Sequence, residues 1–468
     1  MVGNRERRLR TKRVRNVVDG GHIVLALLAA LVALTGGASR FDAIQIIPLR
    51  SLSALCLIWA LFALTKERLK AEVMLSAMFA LFALLVAAQL VPLPPSIWQS
   101  LPGRAGIAQM DSALGLEDVW RPLTLAPMRS WSVLGSLVVP AAGLYAGIAI
   151  GASSVTLLRL IASLGVVNAL LGLLQIVLGN SSIFYFYSIT NFGSPVGIFA
   201  NENHAAVFAA CSMLVVALLG LRASQTRSAA WERIIYPAAF SLILFVSLTG
   251  GSRAGFLAGI GAILVSVFMV ALYPRSRKGR QPGDALRRWL DKYPRLVMAI
   301  PFALVVLTAI AFLALDRTPA FRDLLTNDSF EDLRWSLWPI IVAMLKDHWV
   351  FGAGFGSFEQ LYQIYEPSAL LMSSYVNQAH NDWPQLVIEG GVLAASILVS
   401  LLAWMIRAAV TMSLLPSHRV EAIFWVSIFA VIGAASLIDY PLRTPVFQLT
   451  ATWLLLALSR DARDVKAT

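Results

Sequence analysis

The sequence predicts an all-α integral membrane protein of about 12 transmembrane helices, with a large outer loop containing amphipathic helices. Three observations carry this. The chain of 468 residues is 58% hydrophobic and 14% charged, far from the composition of a soluble domain. Its apolar runs recur at the length of about 20 residues that a helix needs to cross a hydrocarbon layer of roughly 30 Å. Lipid leaves only helices and closed barrels able to satisfy the backbone, and these runs are too long and continuous for barrel strands.

Taken in order, residues 1–21 form a basic N-terminus with Arg5, Arg7, Arg8, Arg10, Lys12, Arg13 and Arg15. Residues 22–315 hold spans one to nine, at 22–38, 44–64, 72–92, 131–151, 155–179, 203–221, 234–248, 253–273 and 295–315. Residues 316–385 form the large outer loop, 386–459 the last three spans (386–406, 420–437 and 446–459), and 460–468 a short tail. The small residues Thr35 to Ser39 after the first span resemble a cleavage site, but the spans that follow favour an uncleaved anchor. Cys56 and Cys211 both fall in apolar runs and read as small hydrophobes, with no disulfide, metal or redox role.

Charge placement gives an orientation. The net +12 is concentrated before span one, after span two (Lys66, Arg68, Lys70), after span six (Arg222, Arg227, Arg233) and between Arg275 and Lys292. All four stretches fall on one side of a twelve-span chain, which the positive-inside rule makes cytoplasmic, along with both termini. The basic N-terminus abuts a span, so nucleic-acid binding is a weak competitor.

Three segments then face outward: 93–130, the Ser-, Asn- and aromatic-rich 180–202, and 316–385. A loop of that last length has structure and function of its own as a rule. Within it, Leu333, Leu337, Ile340, Ile341 and Met344 recur at helical spacing over 329–347, predicting an amphipathic helix on the membrane surface that Pro339 kinks or splits.

The residues able to do chemistry gather on this outer side. Ser252 in Thr249-Gly250-Gly251-Ser252-Arg253-Ala254-Gly255 is placed to cap the eighth span, whose positive N-terminus together with Arg253 makes an anion site. A guanidinium so close to hydrocarbon marks function unless a carboxylate or a headgroup holds it. Arg334 on the amphipathic helix and Arg443 in the turn 439–445 are further forks suited to a diphosphate; Glu331, Asp332 and Asp439 beside them offer a structural alternative. His380, in Gln378-Ala379-His380-Asn381-Asp382-Trp383, can accept a proton from a hydroxyl at neutral pH, with Asn381, Asp382 and Glu389 near enough in sequence to orient it. The alternative for His380 is a helix cap or a bond to a backbone carbonyl. His204, in Asn201-Glu202-Asn203-His204, opens the sixth span; there Asn201 or Asn203 as caps explain the polar run as well as substrate contacts would. Trp335, Trp338, Trp349 and Trp383 suit either sugar stacking or an interfacial aromatic belt. Gly352, Gly354 and Gly356 follow no strand and so read as a tight loop at the membrane surface, not a nucleotide loop. No zinc-ligand or carboxylate-pair spacing occurs, which points to chemistry without metal or cofactor.

The succession of these motifs resembles the O-antigen ligase and O-antigen polymerase superfamily of bacterial membrane glycosyltransferases. The resemblance runs from about residue 195 to 445: Asn201-Glu202-Asn203-His204, then Gly250-Gly251-Ser252-Arg253 with Leu257, then the Gly352-Gly354-Gly356 cluster, then His380-Asn381 followed by Gly391. Ala394 departs from the ligase pattern, and the first 190 residues add topology alone. The resemblance implies an enzyme of the bacterial inner membrane whose site faces the periplasm. It would use an undecaprenyl-diphosphate-linked glycan, with Arg253, Arg334 and Arg443 holding the diphosphate and His380 serving the acceptor hydroxyl. Transfer would invert the anomeric carbon, without a metal. His204, Asn201, Asn203, Asn381 and Asp382 remain substrate contacts or caps.

Within that superfamily a ligase passes the glycan to lipid A-core, a polymerase to another lipid-linked glycan and a protein glycosylase to a serine; the His-Asn motif beside the large loop favours the ligase. A reading of another class, a polysaccharide flippase or solute transporter, predicts charges at mid-span and paired broken helices. Here the candidates cluster at one face.

Overall fold

The structure, a computed structural model, describes residues 20–225, 231–273, 329–371 and 376–467. It begins with α1 (Gly20–Thr35), α2 (Ile46–Ala63), the short α3 (Lys66–Ala71) and α4 (Val73–Ala88). A loop with α5 (Pro95–Trp98) and α6 (Ala105–Ala113) leads to α7 (Pro127–Ser136), α8 (Val138–Ile150) and α9 (Ser154–Leu178). Next come α10 (Glu202–Gln225), α11 (Glu232–Leu248) and α12 (Arg253–Leu272), then α13 (Ser329–His348) and α14 (Phe358–Tyr365). The last three are α15 (Asp382–Ser413), α16 (Arg419–Ile438) and α17 (Pro445–Ala467). The strand pairing among the described residues is a two-residue antiparallel ladder, Pro92–Leu93 on Arg121–Pro122.

Among the described residues, seven helical runs are long and apolar enough to cross a membrane: α2, α7 with α8, α9, α10, α12, α15 and α16 with the turn before it. The expected spans at 22–38 and 72–92 coincide with the shorter apolar helices α1 and α4. Those at 234–248 and 446–459 fall on α11 and α17, and the one at 295–315 lies outside the described residues.

The core forms around α10, which packs on α9, α11, α12 and α16. Small residues permit that density: a Cβ on Gly165 of α9 would stand 2.4 Å from Ser212 of α10, and one on Gly255 of α12 would stand 2.1 Å from Ala206. Close backbone approach is what holds helices together where lipid removes the hydrophobic incentive.

The up-and-down course brings the polar termini to two opposite ends. At one, Ala200 N donates to Gly37 O and Val446 N to Gly36 O, joining the end of α1 to the starts of α10 and α17. Gln89, at the end of α4, reaches the first turns of α15 there, and Gly251 N, before α12, donates to Glu202 of α10. At the other end, Arg222 of α10 bonds Asp461 of α17 at 2.8 Å, Trp425 of α16 donates to the same carboxylate, and Arg159 of α9 meets Glu232 of α11.

A second, smaller core lies under α13 and α14. Leu337, Ile340, Ile341 and Met344 bury their stripe against Phe358, Leu361, Tyr362 and Ile388, so the apolar stripe of this helix is covered by protein. Pro339 sits inside α13 without splitting it, and Leu337 and Ile340 on either side of it are buried in the same cluster.

Candidate active site

Asp439 follows the last turn of α16, and its carboxylate is buried between two imidazoles. Oδ2 lies 3.7 Å from His204 Nε2 and Oδ1 lies 3.7 Å from His380 Nδ1, ion-pair contacts longer than a hydrogen bond. Burial works against ionisation of Asp439, but the two imidazoles together prevail and hold its carboxyl well below the usual carboxylate range. Tyr440 stands edge-on to both rings, at 5.4 Å from His204 and 5.1 Å from His380. Burial, with the nearby Asp439 charge, pushes its phenol up to about 12, so it remains a neutral donor.

The two histidines are not equivalent. The His204 side chain is 2% exposed and that of His380 24%, so only His380 is open to a substrate. His380 also takes a left-handed backbone, with φ +50°, unusual for a residue with a side chain. Its neighbours pin it there: Ala379 N donates to Gln385 Oε1 at 2.9 Å, and Asn381 Oδ1 accepts from Trp383 N to cap α15. Thus Asn381, not His380, is the cap. Asn201 does the same for α10, accepting from Asn203 N at 2.7 Å, which leaves His204 to Asp439.

Arg443, in the turn before α17, is held by two carboxylates, Nε to Asp382 and Nη2 to Glu389, each at 3.2 Å. The sequence placed Asp439 beside Arg443 and Asp382 beside His380; the fold exchanges them, because the ends of α15 and α16 lie side by side. Ser436 adds a hydrogen bond to Asp382 at 3.2 Å. The buried Glu389 carboxylate also accepts from Gln385 and from Phe358 N, at the start of α14.

A break in α15 positions Glu389. Gly391 has φ +64° inside the helix, and residues 350–354 fill the gap: Ala353 N donates to Ile388 O, Gly354 N to Glu389 O, and Val392 N to Val350 O. A Cβ on Gly391 would lie 2.4 Å from Val350 O, and one on Gly352 would lie 2.4 Å from Glu389 O. The glycine cluster therefore locks the large loop to the start of α15. Gln89 closes the lock, donating to Glu389 O at 2.9 Å and accepting from Phe355 N at 2.9 Å.

Ser252 caps α12 as expected, accepting from Gly255 N at 3.0 Å. Arg253, the first residue of α12, stands at the same end as His204, since Gly251 and Gly255 touch Glu202 and Ala206 of α10. Arg334 belongs to α13, but its side chain lies outside the described residues. Trp383 donates to Gly433 O and so helps fix α15 on α16.

Reasoning from sequence missed Asp439 as the partner of both histidines, and it missed Gln89 and Gln385 as supports. One signal for Asp439 was present: a carboxylate directly after an apolar span.

Residues 238–399 match the family model described as O-antigen ligase. The match supports the O-antigen ligase superfamily, of membrane glycosyltransferases of the ligase or polymerase type, and its span includes Arg253 and His380. Together with the apolar helices it supports a multi-pass membrane protein of glycosyltransferase type. No curated protein matches the chain.

Proposed function

We propose that this protein is an O-antigen ligase of the bacterial inner membrane, transferring a glycan from undecaprenyl diphosphate to a hydroxyl of lipid A-core at the periplasmic face, with both termini cytoplasmic. The observation that carries the reading is the Asp439 carboxylate held between buried His204 and accessible His380. An ionised carboxylate behind an imidazole orients the ring and stabilises the positive charge it gains on taking a proton.

In the step, the acceptor oxygen attacks the anomeric carbon from the face opposite the leaving group. The acceptor O–H proton passes to His380, the bond from the anomeric carbon to the diphosphate oxygen breaks, and undecaprenyl diphosphate leaves with the electron pair. The anomeric configuration inverts. Arg253, Arg334 and Arg443 stabilise the charge growing on the diphosphate. Arg443 meets two carboxylates through Nε and Nη2, so its Nη1 edge is the part that serves phosphate. His204 supports Asp439 and does not touch substrate. The step as written draws on no metal.

The test is transfer in proteoliposomes supplied with lipid-linked oligosaccharide and a chelator, with and without lipid A-core. Glycan on lipid A-core supports a metal-independent ligase. Lengthening of the lipid-linked chain alone makes the enzyme a polymerase. Movement of the lipid-linked sugar between leaflets without transfer overturns the reading in favour of a flippase.

A further inference from the structure

The end of the bundle opposite the histidines holds a second polar construction that glycan transfer does not use. A cavity of about 520 Å³ opens there between the start of α4 and the ends of α15 and α17, lined by Glu72, Leu75, Trp404, Arg407, Ser459 and Arg463 among others. Glu72 is its buried anchor: it accepts from Ser459 Oγ at 2.6 Å, pairs with Arg460 Nη1 at 3.2 Å and is held by Arg463 Nη2. One carboxylate does not saturate these cations. Arg460 Nε and Nη2 are buried without a hydrogen-bond partner among the described residues, and Arg407 on the cavity wall is exposed. The charges of Arg68 and Asp464 also reach Arg460. Arg460 and Arg463 therefore share the Glu72 carboxylate, and Arg463 and Arg407 line the cavity.

The cavity's depth in the membrane follows from helix geometry. From Glu389 to Arg407 along α15, and from Arg443 to Arg460 into α17, are 18 and 17 residues. At 1.5 Å per residue each is roughly 26 Å, close to the thickness of a hydrocarbon layer. The cationic cavity thus lies at the membrane boundary opposite the histidines. Trp404 on its wall is a side chain suited to that boundary. An apolar cavity of about 230 Å³ begins at the same Leu75 and continues along α4 and α15, past Phe79, Phe82, Leu398 and Leu401. A cationic chamber followed by an apolar slot matches a molecule with an anionic head and a hydrocarbon tail.

We propose that the Arg407–Arg463 cavity binds the phosphate of an anionic glycerophospholipid, whose acyl chain lies in the apolar cavity beyond Leu75. Arg407 and Arg463, which line the cavity, hold the phosphate, and the lipid wedges the seam of α4, α15 and α17. The far ends of those helices carry Gln89, Glu389 and Arg443. Binding at this cavity stands independently of the glycan reading.

Native mass spectrometry of the full chain, released from detergent containing equal amounts of phosphatidylglycerol and phosphatidylcholine with identical acyl chains, tests the proposal. Phosphatidylglycerol is expected to be retained preferentially. Arg407→Gln should cut that retention about fivefold, the factor one basic residue contributes at an anionic lipid surface. Ala403→Phe should cut it too by filling the cavity without touching a charge, and neither variant disturbs the Glu72 pairs. Equal retention of the two lipids, or retention unchanged in both variants, would overturn the proposal. So would displacement by millimolar inorganic phosphate, which would show that the site reads a free anion, or by a polyprenyl phosphate, which would make it a donor site.

Discussion

Asp439 Oδ1 lies 3.7 Å from His380 Nδ1, while its second oxygen faces His204 at the same distance. One carboxylate therefore serves both the accessible imidazole and the buried one. Asp439→Asn keeps the shape and removes the charge. Transfer should fall by about 10²-fold or more, the range in which a positioned acid–base group contributes. A purely structural role for Asp439 would lower activity only in step with the loss of folded protein.

Asp439 also predicts a pH dependence of stability. Its carboxyl is held below the usual range in the folded protein, so the stabilisation it brings is fully present above an unfolded value near 3.9. It is lost as the pH falls from there toward the folded value. Thermal unfolding in detergent should show a constant gap between wild type and Asp439→Asn above about pH 5, narrowing below about pH 4.

The Arg443 fork predicts an effect on folding as well as on transfer. Arg443→Ala strands the Asp382 and Glu389 carboxylates together in a buried setting, and stability should drop by about 3–5 kcal/mol, seen as a lowered thermal midpoint. Arg443→Lys keeps one charge but cannot span both carboxylates, so it should fall between the two.

The two histidines should separate kinetically. His380→Gln is expected to abolish measurable transfer with lipid binding retained. His204→Gln should lower transfer less and unfold at lower temperature, since the change lies in a buried cluster. Equal loss of transfer in both, with equal stability, would mean that both imidazoles act on substrate.

Glycine substitutions separate backbone geometry from helix propensity. Gly391→Ala forces a side chain into a left-handed residue 2.4 Å from Val350 O, and both folding yield and transfer should collapse. Gly261→Ala, in open space on α12, should change stability by no more than about 1 kcal/mol.

The helices were legible because apolar length is a local property: α9, α10 and α15 match their expected spans within a few residues, apart from the extra turns α15 adds at its end. So were the caps at Ser252 and Asn201, where a short polar side chain precedes an apolar run. Pairings across the bundle were not. Which carboxylate meets Arg443 depends on how the ends of α15 and α16 lie together, and nothing in the spacing of 382, 389 and 439 encodes that. The stripe of α13 was legible, but its partner was not, since periodicity names the buried face without naming what covers it.

Gln89 lies 300 residues from Glu389 in sequence, and its amide spans the carbonyl of one strand of the lock and the N–H of Phe355 in the other. The family match begins at residue 238, so it contains both sides of that lock and omits the key. The boundary of recognisable sequence is therefore not a boundary of folding. A fragment confined to residues 238–399 would keep the glycines that let two backbones approach and lose the side chain that ties them. The first quarter of the chain thus helps build the end of the bundle that carries His380 and Asp439.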